Sequence, residues 1–435
     1  MIAAEKFAAP VSVPHHVWRR TLIRSALITA VFIAPALVVR LAGTHPDPVA
    51  AIAVFGAAVV SVSFLLAWAA EAAQIDVSGG LAIAVLALVA VLPEYAVDLY
   101  YAYASGRNAD YSQYAAANMT GSNRLLMGLG WPIVVLVGFV AGRRSGGGTP
   151  GALALAPANR IELGFLVIAG VIAFAIPASG QIHLALGLAL LAWFAFYMIK
   201  VSRGDVVEPD LIGTAAALGG LPARWRRSAV VGLVATAGTV MVLCAKPFAD
   251  NLVDAGTELG IDRFLLVQWL APLASEAPEF IIATIFAARG KGGLAIATLI
   301  SSKVNQWTLL VGSLPVAHLL GGGGVALALD SRQVVEVLLT ATQTMMGVAL
   351  ILDLRFRRPA AWALLGLFIG QFAIVSTHGR LVLCGIYAAV ALAGLVVNRR
   401  HLAATVRAPF GGRAIRRGGH PQLTPADRPG TLRDD

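Results

Sequence analysis

The sequence predicts an all-α polytopic membrane protein: two inverted five-helix repeats forming a ten-helix core, plus about two extra helices, roughly twelve transmembrane spans in all. Three observations predict this. The first is composition: 58% of the 435 residues are hydrophobic and only 13% charged, with mean hydropathy +0.78. A soluble domain carries about 25% charged residues. The second is the recurrence of apolar segments near or above the roughly 18–20 residues that cross a bilayer. The third is a proline–glutamate motif that occurs once in each half.

The apolar segments fall at 22–42, 50–73, 80–105, 112–142, 161–178, 181–200, 227–257, 263–288, 293–320, 333–353, 360–376 and 379–398. The first is a helix and not a signal peptide, because a long leader containing Glu5 precedes it and no small-residue cleavage site follows. Residues 1–49 are therefore a cytoplasmic N-terminus and an extra helix. A first repeat at 50–200 contains a Gly- and Pro-rich loop at 143–160. A polar cytoplasmic loop at 201–226 precedes a second repeat at 227–376. The two pairs of short spans adjoin around Gly180 and Gly379. Another extra helix fills 377–400, and the basic, Gly- and Pro-rich segment 401–435 is expected to be a disordered cytoplasmic tail.

The net charge of +10 is orientation, not a nucleic-acid footprint. With the N-terminus inside, five of the 33 Lys and Arg residues (Arg40, Arg107, Arg263, Arg332, Arg380) lie outside and three (Arg124, Lys246, Lys303) lie within spans. The other 25 are cytoplasmic, the positive-inside signature. This places the chain as an integral protein of a bacterial-type plasma membrane with both termini cytoplasmic. The two cysteines, Cys244 and Cys384, sit in different spans and define neither a disulfide framework nor a metal cluster.

The repeated motif reads Ala-Val-Leu-Pro93-Glu94 in the first half and Ser275-Glu276-Ala-Pro278-Glu279 in the second. A carboxylate at mid-membrane costs roughly 2.5–3.5 kcal/mol even on the lenient insertion scale, so it seldom sits there without a partner. Proline cannot donate the i→i−4 hydrogen bond; Pro93 thus frees the carbonyl of Val89, and Pro278 that of Ala274. Each motif follows an apolar helix and a short polar break, and precedes a helix that carries small polar residues: Asn118-Met-Thr-Gly-Ser122-Asn123 and Thr298-Leu-Ile-Ser-Ser302-Lys303. Five spans per repeat is an odd number, so the repeats sit inverted, an arrangement that places an ion site between them.

Both halves resemble the α-repeats of the calcium/cation antiporter superfamily, the sodium/calcium exchangers and their relatives. The family pattern is Gly-Thr-Ser-Leu-Pro-Glu, followed on the next helix by Gly-Asn-x-x-Gly-Ser-Asn-x-x-Asn. The resemblance implies that Glu94 and Glu279 are the central ligands of the transported cation, Ca²⁺ or Na⁺, that Ser122 and Ser302 add hydroxyls, and that Asn118 occupies the Gly-Asn position. Ser275 and Glu276 hold the family's hydroxyl positions before Glu279. Their counterparts, Ala90 and Val91, offer no side-chain oxygen. The family's Asn or Asp after the serine is Leu126 in one half and Gln306 in the other, so this chain is a divergent member with a lopsided site.

Helix spacing sets Asp98 beside Glu94 and Glu276 beside Glu279. Oxygen-only clusters suit Ca²⁺, Na⁺ or protons rather than transition metals. Arg124 and Lys303 lie about 15–18 Å along their helices, as charge-compensating or coupling groups. Four acids against these two bases leave a formal −2, and Lys303 has the alternative of pairing with Glu276 or Glu279. Lys246 and Asp250 read as a local i,i+4 ion pair. The sequence carries no zinc-protease, aspartyl or nucleophile-elbow pattern, so no enzyme activity and no cofactor are expected. The expected function is a secondary-active cation antiporter working by alternating access, with Ca²⁺, Na⁺ or H⁺ and the lipid bilayer as partners. A Na⁺/H⁺ antiporter and a non-transporting ion sensor or scaffold are the alternatives.

Overall fold

The computed structural model describes residues 15–76, 92–144, 152–203 and 211–411. The first half comprises α1 (His15–Ala42), α2 (Pro48–Ala73), α3 (Leu92–Ser105), α4 (Tyr111–Leu125), α5 (Trp131–Arg144), α6 (Arg160–Ala173), the short α7 (Ala175–Ser179) and α8 (Leu184–Ser202). After α9 (Gly213–Gly219) the second half runs α10 (Ala223–Glu258), α11 (Arg263–Ala288), α12 (Gly292–Asn305), α13 (Val311–Leu320), α14 (Ser331–Leu350) and α15 (Arg358–Gly370). It closes with α16 (Thr377–Val397) and α17 (Arg399–Arg407). Asp47 caps α2, accepting from Ala50 N at 3.0 Å with Pro48 in the first turn. Asp330 and Gln333 form a capping box on α14. Both are start signals written in the sequence.

Among the described residues nine helices are long and apolar enough to cross a membrane. The remaining three expected spans differ for separate reasons. Residues 80–91 of the span 80–105 lie outside the described residues. The stretch 292–320 is diluted by Ser302, Lys303, Asn305 and Gln306, while α15 is only 13 residues long.

The inverted repeat is visible in two features that recur at equivalent places. A π-helical turn follows α4 at Leu126–Gly130, and another follows α12 at Gln306–Leu310; such turns often mark functional sites. Among the described residues, four three-residue strands form two antiparallel ribbons. The strand before α6, β1 (Ala152–Ala154), pairs with β4 (Arg355–Arg357) before α15; β2 (Gln181–His183) before α8 pairs with β3 (Ala326–Ala328) before α14. Exchanging the repeats turns one ribbon into the other. The loop expected at 143–160 thus contributes a strand, and Gly180 makes its turn with φ +68°.

Two expected loops carry more structure than their composition suggested. Within 201–226, α9 packs against α1 and α2, and Thr214 shares a 2.7 Å hydrogen bond with Ser25. Within the expected tail, the described residues 401–411 are folded against the bundle, and residues 412–435 lie outside the described residues. Arg160 donates to Thr405 at 2.9 Å, Lys200 donates to the Gly411 carbonyl at 2.7 Å, and Phe410 stacks on Trp193 and Phe196. Thr405, Pro409, Phe410 and the Gly411 carbonyl all take part in docking this stretch, despite the basic composition around them. At the end of α2, Asp76 is clamped by Arg226 (2.7 Å) and Arg227 (3.1 Å), and these cations hold its carboxyl below the usual range.

The halves meet where α4 crosses α11. Pro272 leaves the Gln268 carbonyl without its helical donor, and that oxygen points at Gly121, where a Cβ would sit 1.7 Å away. Gly121→Ala must force the two helices apart, with an expected loss of about 3 kcal/mol or more. Thermal unfolding in detergent, compared with Gly238→Ala, where a Cβ meets open space, measures this directly.

Candidate functional site

The proline–glutamate segments meet at the centre of the helix bundle. A cavity of about 170 Å³ lies between α2, α3, α11 and α12, lined by Glu71, Glu94, Ser275, Glu276, Glu279 and both motif prolines, Pro93 and Pro278. It reaches the Glu71–Gln74 end of α2, the end at which Asp76 meets Arg226. Glu94 and Glu276 are buried, at 6% and 2% exposure.

Gln306 ties the halves together at this point. Its Nε2 donates to Glu94 Oε1 at 3.2 Å and to Glu276 Oε1 at 2.8 Å, so one amide bridges acids from both repeats. The Ser122 hydroxyl lies beside the same two carboxyls, and Ser302 faces Glu279. Ser275 donates to the Ala271 carbonyl at 3.2 Å. Asp98 is fully buried one turn beyond Glu94, beside Asn118. Ser122 Oγ, Glu276 Oε2, Gln306 Oε1 and the side chains of Asp98 and Asn118 make no hydrogen bond of normal geometry. Buried oxygens in that state are suited to a cation. Among the described residues, no three acidic, histidine or cysteine side chains converge tightly enough to hold a metal ion by themselves. A cation held here would have to draw oxygens from Gln306 and the serines as well as from the carboxyls. The positions of Ala90 and Val91, and the carbonyl of Val89, lie outside the described residues.

The two membrane bases part company. Lys303 is fully buried and donates to Asn123 twice, to the backbone oxygen at 2.5 Å and to Oδ1 at 2.7 Å. It does not pair with Glu276 or Glu279. Asn123 and Lys303 hold equivalent positions in the two repeats, 180 residues apart, and the repeat symmetry brings them face to face. Arg124 belongs elsewhere: it pairs with Glu336 of α14 at 2.7 Å and lies 5.0 Å over the Trp269 ring. The other Glu336 oxygen binds Arg380 of α16. Gln268 donates to Glu336 at 3.2 Å and to Thr120 at 3.0 Å. The carboxyl cluster thus keeps four acids and one base, a formal −3 instead of −2.

Reasoning from sequence missed Glu336, Asn123 and the place of Glu71. An acid inside the span 333–353 was itself a signal of a buried partner. Lys246 and Asp250 form the expected i,i+4 pair at 2.5 Å, and Tyr100 also donates to Asp250, at 2.6 Å.

Buried acids beside prolines on membrane helices, brought together by an inverted repeat, define the class of secondary transporters. The chain matches the sodium/calcium exchanger protein family over residues 48–202 and 229–377, and it belongs to that family. It is 36% identical to the structure described as the H⁺/Ca²⁺ exchanger CAX, covering 90% of this chain and 98% of that one with a TM-score of 0.84. The Ca²⁺/H⁺ antiporter protein YfkE shares the fold at 14% identity and a TM-score of 0.57, covering 84% of this chain and 99% of that one. No curated protein sequence matches the chain.

Proposed function

We propose that this cation antiporter exchanges Ca²⁺ for protons by alternating access around Glu94, Glu276 and Glu279. The observation that carries this reading is the Gln306 amide bridging Glu94 and Glu276 from opposite repeats. A buried cluster with a formal −3 must be balanced, and either protons or a divalent cation with one proton balances it. When Ca²⁺ enters, the Gln306 amide turns so that its Oε1 replaces the N–H donor, and the two glutamates exchange a shared hydrogen-bond donor for a shared cation. Ser122, Ser275 and Ser302 supply neutral oxygens toward the 6–8 that Ca²⁺ takes. The 36% identity to an H⁺/Ca²⁺ exchanger supports this choice of ions over Na⁺/H⁺ exchange.

The basic residues beside Asp76 support a cavity mouth on the cytoplasmic side, as the positive-inside rule would have it. The access change moves α2 and α10, which pack side by side along the bundle. Reconstituted protein should take up Ca²⁺ in response to an imposed pH gradient with Na⁺ omitted. Sodium-dependent proton movement without Ca²⁺ uptake would reverse the assignment.

A further inference from the structure

The opposite end of the molecule carries a second cavity, of about 330 Å³, lined by Asp262, Trp269, Arg332, Gln371, Thr377 and Arg380. Asp262 caps the start of α11, so this mouth lies across the membrane from the one at Glu71. Three guanidiniums serve it, against two carboxylates. Arg332 pairs with Asp262 at the exposed rim, at 2.6 Å. Deeper, Arg380 and Arg124 share Glu336. That leaves one positive charge in surplus, most of it in buried side chains. Gln371 lines the same cavity at 1% exposure, and neither polar atom of its amide has a hydrogen-bond partner.

A surplus guanidinium and an idle buried amide call for an anion with several acceptor oxygens, such as a phosphate group. What the anion is attached to follows from the neighbouring surface. A groove of about 350 Å³ shares Leu265 and Trp269 with this cavity and continues along α11 past Leu266 and Leu270 to Leu273. These leucines recur at helical spacing on one face, with Leu273 half exposed. A charged cup opening onto an apolar groove at the membrane boundary has the shape of a lipid, with the headgroup in the cup and one acyl chain in the groove. Trp269 sits at the junction, where aromatic residues are favoured.

We infer that this cavity and groove bind one anionic phospholipid, its phosphodiester held by Arg380, Arg332 and Gln371. The single negative charge of such a headgroup matches the surplus. The lipid would lie along α11, the helix that bears Ser275, Glu276 and Glu279, and would brace it from the membrane side. The inference holds whichever ions are exchanged.

The test is native mass spectrometry of the full chain in detergent, titrated with dioleoylphosphatidylglycerol or dioleoylphosphatidylcholine. Wild type should retain the anionic lipid roughly fivefold better or more, the discrimination expected of one arginine near a membrane surface. Arg380→Gln should erase the preference, because Arg124 still neutralises Glu336 and the surplus disappears. Arg332→Gln, at the exposed rim, should reduce it and serves if the first variant does not yield monodisperse protein. Leu273→Trp, which fills the groove, should lower retention of both lipids. Equal retention of the two lipids by wild type, or an unchanged preference in both arginine variants, would overturn the inference. Displacement of the anionic lipid by inorganic phosphate as effective as that by added phosphatidylglycerol would assign the cup to a free anion and equally sink the lipid reading.

Discussion

Replacing Glu279 by glutamine is expected to cut Ca²⁺ uptake into proteoliposomes by about 100-fold or more, while the protein still purifies as a single species. Changing a residue that only supports a metal ligand typically costs 10–100-fold in affinity, so a direct ligand belongs at or beyond the top of that range. Glutamine keeps the size of the side chain and an oxygen to face Ser302. What it removes is charge. The cluster of Glu94, Asp98, Glu276 and Glu279 then holds one fewer negative charge to set against a divalent cation, and one fewer group to exchange a proton. Glu94→Gln should be as severe, since Glu94 shares the Gln306 donor with Glu276. The measurement is initial rate of ⁴⁵Ca²⁺ uptake at a fixed pH gradient, normalised to reconstituted protein. Undiminished uptake in Glu279→Gln would remove it from the ligand set.

The sequence made the acids legible because each sits in a motif that occurs twice, with proline beside it. Gln306 was legible as the holder of a family ligand position, but its bridging of Glu94 and Glu276 was not. Glu94 lies in one repeat and Glu276 and Gln306 on two helices of the other, and only the crossing of helices decides which carboxyls one amide can reach. Lys303 shows the same limit from another side. Read linearly, it faces acids on the preceding helix. In the folded chain the symmetry relating the repeats sets it against Asn123, its own counterpart, and the asparagine's two oxygens hold the ammonium group. The docking of residues 401–411 was hidden for a further reason. Composition averages over 401–435 and misses the particular contacts of Thr405 and Phe410. Arg124 was legible as a buried base, yet its partner lies 212 residues away on a helix whose pattern gives no hint of which base it meets.

That last pairing yields the largest expected effect on stability. Glu336→Gln should lower the stability of the detergent-solubilised protein by about 3–5 kcal/mol, the range found when one partner is removed from a buried ion pair. The carboxylate separates two guanidiniums, Arg124 at 2.7 Å and Arg380 on the other oxygen, and is itself fully buried. Without it, two like charges face each other, one fully buried and the other open to solvent only through the cavity. Arg380→Gln should do far less harm, because Arg124 and Glu336 remain a neutral pair that Gln268 still supports. The double variant Glu336→Gln/Arg380→Gln keeps a single buried guanidinium and should fall between the two. This ordering separates electrostatics from packing: loss of shape alone would make the double variant the worst of the three. Thermal midpoints of the three proteins, read as a double-mutant cycle, decide it. A double variant more stable than Glu336→Gln alone means that α16, which carries Arg380 from outside the repeats, is held to the core by sharing one carboxylate with α4. It also means that the outermost helix senses the helix that carries Ser122, a side chain at the carboxyl cluster.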